Sequence, residues 1–161
     1  MKVIALDVDG VLREKHWEAG KPQILIPATA QKLWAMEMRG ICISNQAGCY
    51  WGYSTIATKI AEFRWLMGRL PIQRCYFCPD YGSAGIWVSR WAWNIQRTPG
   101  RNYRKPGSGL FDLAKEQGFQ ISLYVGDMSG RNPGESSSDA LAAHAAIVPY
   151  LDIEDFWKIK Q

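Results

Sequence analysis

No stretch of this chain is apolar for long enough to cross a membrane, so no membrane association is expected. Met1-Lys2 leads directly into a strand-like run, so no secretory leader is expected. Cysteine is scarce: the four residues Cys42, Cys49, Cys75 and Cys78 show no spacing of a secreted disulfide framework, so a reducing, cytoplasmic setting is expected. Repeats, low-complexity tracts and interior linkers are absent, and residues 1–161 are expected to form a single domain. A G-x-x-x-x-G-K-[ST] loop is missing, which excludes a P-loop kinase. What the middle of the chain lacks most is acid. From Met38 to Phe111 ten Lys and Arg face only Glu62 and Asp80, a net of +8 on a chain that totals +4. Such a basic centre suits an anionic ligand, nucleic acid among them, or else a set of solvated helix faces.

What is present is globular: 47% hydrophobic and 21% charged residues. Branched apolar residues from Val3 to Leu6 read as a buried strand. Asp7 and Asp9 stand at its C-terminal end, with Gly10 letting the chain turn away. Two crowded carboxylates repel unless a cation or a proton lies between them, so they point to catalysis or metal binding. Residues 11–26, with His16 and Trp17, read as a loop or small flap over that end, where His16 could touch substrate. Pro27 opens a helix to about Arg39, stopped by Gly40. Further expectations are a strand at 41–44, a helix capped by Ser54 to about Gly68 and a strand at 74–77. The segment 79–104 has no clear period. A helix from Pro106 to Gly118, a strand at 121–125, a short helix after Ser137, a last strand near 146–148 and a helical turn at 153–159 complete the chain. This alternation predicts an α/β fold: a Rossmann-like parallel sheet with helices on both faces and no large cap domain. Ligands bind beyond the C-terminal strand ends of such sheets, where Asp7/Asp9, Ser44/Asn45 and Asp127 all fall.

Those residue types can transfer a phosphoryl group. Asp7 is the candidate nucleophile, Asp9 the acid and then base, and Asp7, Asp9 and Asp127 the candidate ligands of Mg²⁺. Ser44, Asn45 and the amides after them would hold phosphate oxygens, with Lys105 supplying a fixed positive charge.

The blocks Asp7-Val8-Asp9-Gly10-Val11, Ser44, Lys105-Pro106 and Gly126-Asp127 resemble, in order and spacing, the four motifs of the haloacid dehalogenase superfamily of phosphatases. The resemblance covers nearly the whole chain and implies an aspartyl-phosphate intermediate and Mg²⁺ dependence. Ser44-Asn45-Gln46-Ala47-Gly48, Gly52-Tyr53-Ser54 and Arg104-Lys105-Pro106 with Gly109 look like patterns of its third subclass. That subclass contains the heptose-bisphosphate and histidinol-phosphate phosphatases and the 3′-phosphatase domain of polynucleotide kinase-phosphatase.

The sugar and histidinol enzymes usually carry a C-P-H and C-x-C zinc loop. Here Cys78-Pro79-Asp80 lacks the histidine, and Arg101 and Tyr103 stand where later cysteines would be, so no structural zinc is expected. Cys75 and Cys78 are a remnant or redox pair, or ordinary buried thiols. Gly126-Asp127-Met128-Ser129-Gly130-Arg131 is similar to the G-D-x-x-G-R of the polynucleotide 3′-phosphatases, and Asp139 reads as a helix cap rather than a metal ligand. Between Tyr81 and Lys105, Trp87, Trp91 and Trp93 interleave with Arg90, Arg97, Arg101 and Arg104, a pattern that either stacks single-stranded bases or packs a loop. Trp17, Trp34, Trp51 and Trp65 are expected in the core or its rim, and His144 as structural or solvated. The expectation is a Mg²⁺-dependent phosphomonoesterase for 3′-phosphate ends of DNA or RNA, with Arg131 and the 81–104 loop as substrate contacts. A small-molecule phosphatase and a catalytically weak nucleic-acid-binding module are the alternatives. In end repair, a separate kinase or ligase would act beside it.

Overall fold

In a computed structural model of the chain, residues 1–15 and 22–160 are described. His16 and Trp17, with the centre of the expected flap, lie outside the described residues.

The buried run at the N-terminus forms β1 (Lys2–Leu6) in the interior of a seven-stranded sheet. Beside it lie β2 (Gly40–Asn45), then β3 (Ile72–Cys78), β4 (Gly85–Val88) and β5 (Trp93–Gln96). On its other side lie β6 (Gln120–Gly126) and β7 (Tyr150–Asp152). β1, β2, β3, β6 and β7 run parallel, while β4 and β5 add an antiparallel hairpin at one edge. The sheet is therefore mixed rather than wholly parallel, and the segment without a clear period contains two strands.

Because side chains alternate across a strand, β1 feeds two cores. Ile4 and Leu6 join Phe63 and Phe77 on one face, where α1 (Pro27–Ala35), α2 (Ile56–Met67) and α5 (Ile153–Lys158) pack. Val3 and Ala5 join Tyr76, Phe111 and Tyr124 on the other, beneath α3 (Gly109–Glu116) and α4 (Ser138–Ala145). A sheet covered on both faces leaves its strand ends as the place for polar chemistry.

Several boundaries differ from the sequence reading for local reasons. α1 stops at Ala35, because Glu37 turns to φ 51°. Gly40 instead begins β2, where a Cβ would sit 2.7 Å from Ile72 Cδ1. Thr55, not Ser54, caps α2, accepting from the Thr58 N–H at 3.1 Å. α3 begins at Gly109 rather than Pro106, after a turn in which the Gly107 N–H donates to the Arg104 carbonyl at 2.7 Å. The expected strand at 146–148 is used to close α4: Ala146, Ile147 and Val148 donate their N–H groups to Ala142, His144 and Ala143. The last strand follows, at Tyr150–Asp152.

That closure places Ile147 at φ 56°, in the left-handed region, with its side chain 91% exposed. A β-branched residue is strained there by about 1–2 kcal/mol, and its exposed side chain offers little packing in return. Ile147→Gly is expected to stabilise the fold by about 1 kcal/mol, after allowing for the added freedom of the unfolded glycine. A rise in Tm of about 2–4 °C would register it.

Candidate active site

Asp7 is the first residue past the β1 ladder; its N–H donates to the Val125 carbonyl of β6 at 2.9 Å. The carboxylate is nearly buried, and Lys105 Nζ lies 3.0 Å from Oδ1. Lys105 is buried too, with Nζ 2.5 Å from Asp139 Oδ1, 2.8 Å from the Tyr124 hydroxyl and 3.3 Å from the Ile43 carbonyl. Its main chain is clamped by Asn45 from the end of β2: Oδ1 accepts from the Lys105 N–H at 2.9 Å, and Nδ2 donates to the Lys105 carbonyl at 3.1 Å. Asn45, expected to bind phosphate, thus has its side chain engaged in positioning Lys105.

Asp9 is held differently. Its Oδ1 accepts from Arg13 Nε at 2.8 Å and its Oδ2 from Gln46 Nε2 at 2.9 Å. Gln46 Nε2 also lies 2.8 Å from Ser44 Oγ, so one amide ties Asp9 to Ser44. Arg13 is fully buried and reaches Glu62 at 2.8 Å, which Lys59 meets at 2.9 Å.

Asp127 follows β6. Gly10, at φ 84°, leaves room for it, since a Cβ there would lie 2.3 Å from Asp127 Oδ2. Lys15 Nζ is 3.3 Å from Oδ2, whereas Oδ1 is buried with no hydrogen-bond partner among the described residues. Asp139 comes from the first turn of α4 and is fully buried. Besides Lys105, it accepts from the Tyr124 hydroxyl at 2.8 Å and the Met128 N–H at 3.1 Å. Gly126 makes room for it: a Cβ would stand 2.5 Å from Asp139 Oδ2. The expected helix cap is therefore a buried counter-ion, because its partner is a lysine 34 residues away.

Three carboxylates, Asp7, Asp127 and Asp139, place oxygens within 4.8 Å of one another. Burial pushes the Asp7 carboxyl up to about 8; Lys105 opposes this, and Asp139 and Asp127 add to it. Burial also raises Asp127, against the pull of Lys15. Burial alone would lower the Lys105 ammonium, but Asp139 and Asp7 outweigh it and hold it above its usual range. The site is short of positive charge at Asp7 and Asp127. The orphaned Asp127 oxygen and the strained Asp7 carboxyl fit a hard divalent cation such as Mg²⁺, which takes one or two carboxylates and keeps waters. Asp9 does not share this cluster through its carboxylate, since both its oxygens are engaged by Arg13 and Gln46.

Asp7, Asp9, Lys105 and Asp139 line a cavity of about 420 Å³, together with Ser44, Lys15, Lys59, Arg104, Trp51 and Tyr53, and Asp127 lines an adjoining hollow. Ser54 also lines the cavity, its hydroxyl buried without a partner among the described residues. Of the expected basic and aromatic contacts, only Arg104 lines the cavity. Arg90 donates to the Met67 carbonyl, Arg97 lies 3.8 Å from Asp80, and Arg101 grips Glu116. Arg131 pairs with Asp155 at the start of α5, bordering an adjoining hollow beside Asp127. Trp91 and Trp93 are exposed on the β4–β5 hairpin, while Trp87 packs beneath Arg74. Pairing and the antiparallel hairpin thus direct Arg90, Arg97, Arg101, Trp91 and Trp93 away from this cavity.

The region expected to have lost a zinc loop is organised by other contacts. Asp80 Oδ1 accepts from the N–H groups of Gly82 and Ser83 at 2.9 and 3.1 Å, and Cys78 Sγ lies 3.3 Å from the same atom. Tyr103 is buried, with its hydroxyl 2.9 Å from Thr98 Oγ1. All four cysteines are free, and burial raises the Cys78 thiol to about 12.

Sequence reasoning missed the positioning roles of Gln46 and Arg13. The i, i+4 spacing of Asp9 and Arg13 was the available signal for the second.

The fold, a mixed sheet with helices on both faces, is shared with solved structures of two phosphatases. Among solved structures, the D,D-heptose 1,7-bisphosphate phosphatase from B. bronchiseptica, complexed with magnesium and phosphate, is similar at TM-score 0.61 and 21% identity, over 94% of this chain and 79% of that one. A HAD-like phosphatase from Mesorhizobium loti is similar at TM-score 0.64 and 20% identity, over 98% of this chain and 85% of that one. No family model matches the sequence, and no curated protein matches it.

Proposed function

We propose that this protein is a phosphomonoesterase acting through an aspartyl-phosphate, with a 3′-phosphorylated nucleic-acid end as its preferred substrate. The observation that carries the first part is a buried Asp7 carboxylate in the wall of an open cavity, with Lys105 Nζ at 3.0 Å and, nearby, an Asp127 oxygen unpartnered among the described residues. The fold shared with a phosphatase complexed with magnesium and phosphate supports it.

In this reading Asp7 attacks phosphorus in line, forming an O–P bond as the ester O–P bond breaks. Asp9 gives the departing oxygen its proton. As a carboxylate it then takes a proton from water, whose oxygen attacks phosphorus, breaks the Asp7–P bond and releases orthophosphate. Arg13 and Gln46 fix the orientation of Asp9 for both steps. Ser44 and Lys105 face the phosphoryl oxygens, and Asn45 keeps Lys105 in place. Asp7 and Asp127 would hold Mg²⁺, which would keep waters in its other positions. The ion would supply positive charge against the phosphoryl oxygens.

The preference for a nucleic-acid end is supported by the basic centre of the chain and by Lys15, Lys59 and Arg104 around the cavity. Phosphorylation of 5′ ends and strand joining would fall to a separate kinase or ligase. A second reading, a phosphatase of small sugar phosphates, is favoured by the heptose-bisphosphate neighbour. Phosphate release with Mg²⁺ from a 3′-phosphorylated oligonucleotide, beside heptose bisphosphate and histidinol phosphate, decides between them. The oligonucleotide is expected to give the highest kcat/KM by at least about ten-fold, a margin of about 1.4 kcal/mol. Preference for a small phosphate would overturn the substrate assignment and leave the chemistry standing.

A further inference from the structure

Four large aromatic side chains stand more than half exposed near the cavity mouth: Tyr50, Trp51, Tyr53 and Tyr81. Exposed rings in one patch mark a surface that something else covers. Three of them meet edge to face, with centroids 5.5 Å apart for Tyr50 and Trp51, 4.7 Å for Tyr50 and Tyr81, and 5.9 Å for Trp51 and Tyr81. The Arg104 guanidinium lies 5.8 Å from the Tyr81 ring.

The patch is built into the site. Tyr50 and Trp51 follow the short 3-10 turn Ala47–Cys49, which starts directly after Gln46, the residue tying Asp9 to Ser44. Tyr81 follows Asp80, whose carboxylate organises the turn after β3. Trp51, Tyr53 and Arg104 line the same cavity as Asp7. The charge of Arg104 is also available. Arg97 and Arg101 face Asp80 and Glu116, whereas Arg104 makes no ion pair among the described residues and reaches only a carbonyl, that of Asp80, at 3.5 Å.

We propose that this rim is a base-stacking platform: the terminal base of a single-stranded 3′ end stacks on Trp51, the Tyr81 ring, at 85° to Trp51, borders its edge, and Arg104 holds the adjoining phosphodiester. Every base offers a flat π-face, and a neighbouring cation suits the strand's next phosphate. This names the leaving-group site of the end-processing reading and rests on that reading. It also relocates the aromatic contact from the β4–β5 hairpin to the cavity rim.

The test compares two 3′-phosphorylated strands, one ending in an ordinary nucleotide and one in an abasic sugar. Wild-type protein with Mg²⁺ is expected to favour the base-bearing end by about 10- to 100-fold in kcat/KM, chiefly through KM. Trp51→Ala and Tyr81→Ala should each bring that ratio towards one, and Trp51→Phe should keep most of it. Because these side chains are exposed, unchanged thermal unfolding would verify that each variant folds. A ratio near one in the wild type, or one that survives both alanine changes, overturns the platform. Binding of the same strands to Asp7→Asn, read by fluorescence anisotropy, needs no turnover. Tighter binding of the base-bearing strand upholds the platform even where phosphate release is absent and the phosphatase reading has failed. Equal binding overturns it independently.

Discussion

Asp7→Asn is expected to lower phosphate release by about three orders of magnitude or more, because the amide cannot form the acyl-phosphate. The same change should raise the thermal stability of the metal-free protein at neutral pH. Burial lifts the folded Asp7 carboxyl to about 8 from its ordinary 3.8, with Asp139 and Asp127 adding to the rise against Lys105. Between those values the folded state keeps a proton that the unfolded state releases, so this group's contribution to stability falls as pH rises from 3.8 to about 8. Asparagine removes that slope. The wild type should therefore lose Tm against Asp7→Asn as pH rises towards 8, and Mg²⁺ should restore the wild type far more than the variant. Parallel pH profiles for the two proteins would count against a strained Asp7 carboxylate, whatever the activity shows.

Lys105→Met has the larger structural consequence. Its ammonium sits between Asp7 at 3.0 Å and Asp139 at 2.5 Å, and Asp139 is fully buried. Removing one partner of a buried pair leaves an uncompensated charge, which costs about 3–5 kcal/mol. In a chain of this length that corresponds to a fall in Tm of about 10 °C. Activity should vanish as well, since the group facing both the nucleophile and the phosphoryl oxygens is gone. Adding Asp139→Asn to Lys105→Met should recover part of the lost stability without activity, because the stranded charge is removed while the catalytic charge stays missing. A single variant that melts like wild type would show that Lys105 is not the counter-ion.

The ends of β1, β2 and β6 were legible because their signals are local: an apolar run broken by polar residues and glycine. Asp7, Ser44, Lys105 and Asp127 all meet at the cavity or its border for that reason. Partnerships across the chain were not legible. Asn45 lies 60 positions from the backbone it clamps, and Asp139 looked like a cap because a Ser-Asp run before a helix usually is one. The β4–β5 hairpin escaped because its connection, Ser89-Arg90-Trp91-Ala92, carries no Asn-Gly or Asp-Gly signal. Instead the Ser89 hydroxyl closes it, accepting from the Ala92 N–H at 3.0 Å. The strand placed at 146–148 failed because an apolar triplet does not distinguish a strand from the end of a helix. Trp34 and Trp51, expected in the core or its rim, are both 60% exposed, and Trp51 belongs to the cavity wall. Aromatic composition alone cannot say which side of a surface a ring will take.

The strand order has a consequence for synthesis. β1 emerges first, yet one of its two neighbours, β6, starts only at Gln120. Until that segment leaves the ribosome, β1 has a bare edge, and Lys105 has emerged without Asp139. Such an edge is prone to mispairing. Closure of this side of the sheet and completion of the Asp7–Lys105–Asp139 cluster thus fall together, both waiting on the segment from Gln120 to Asp139.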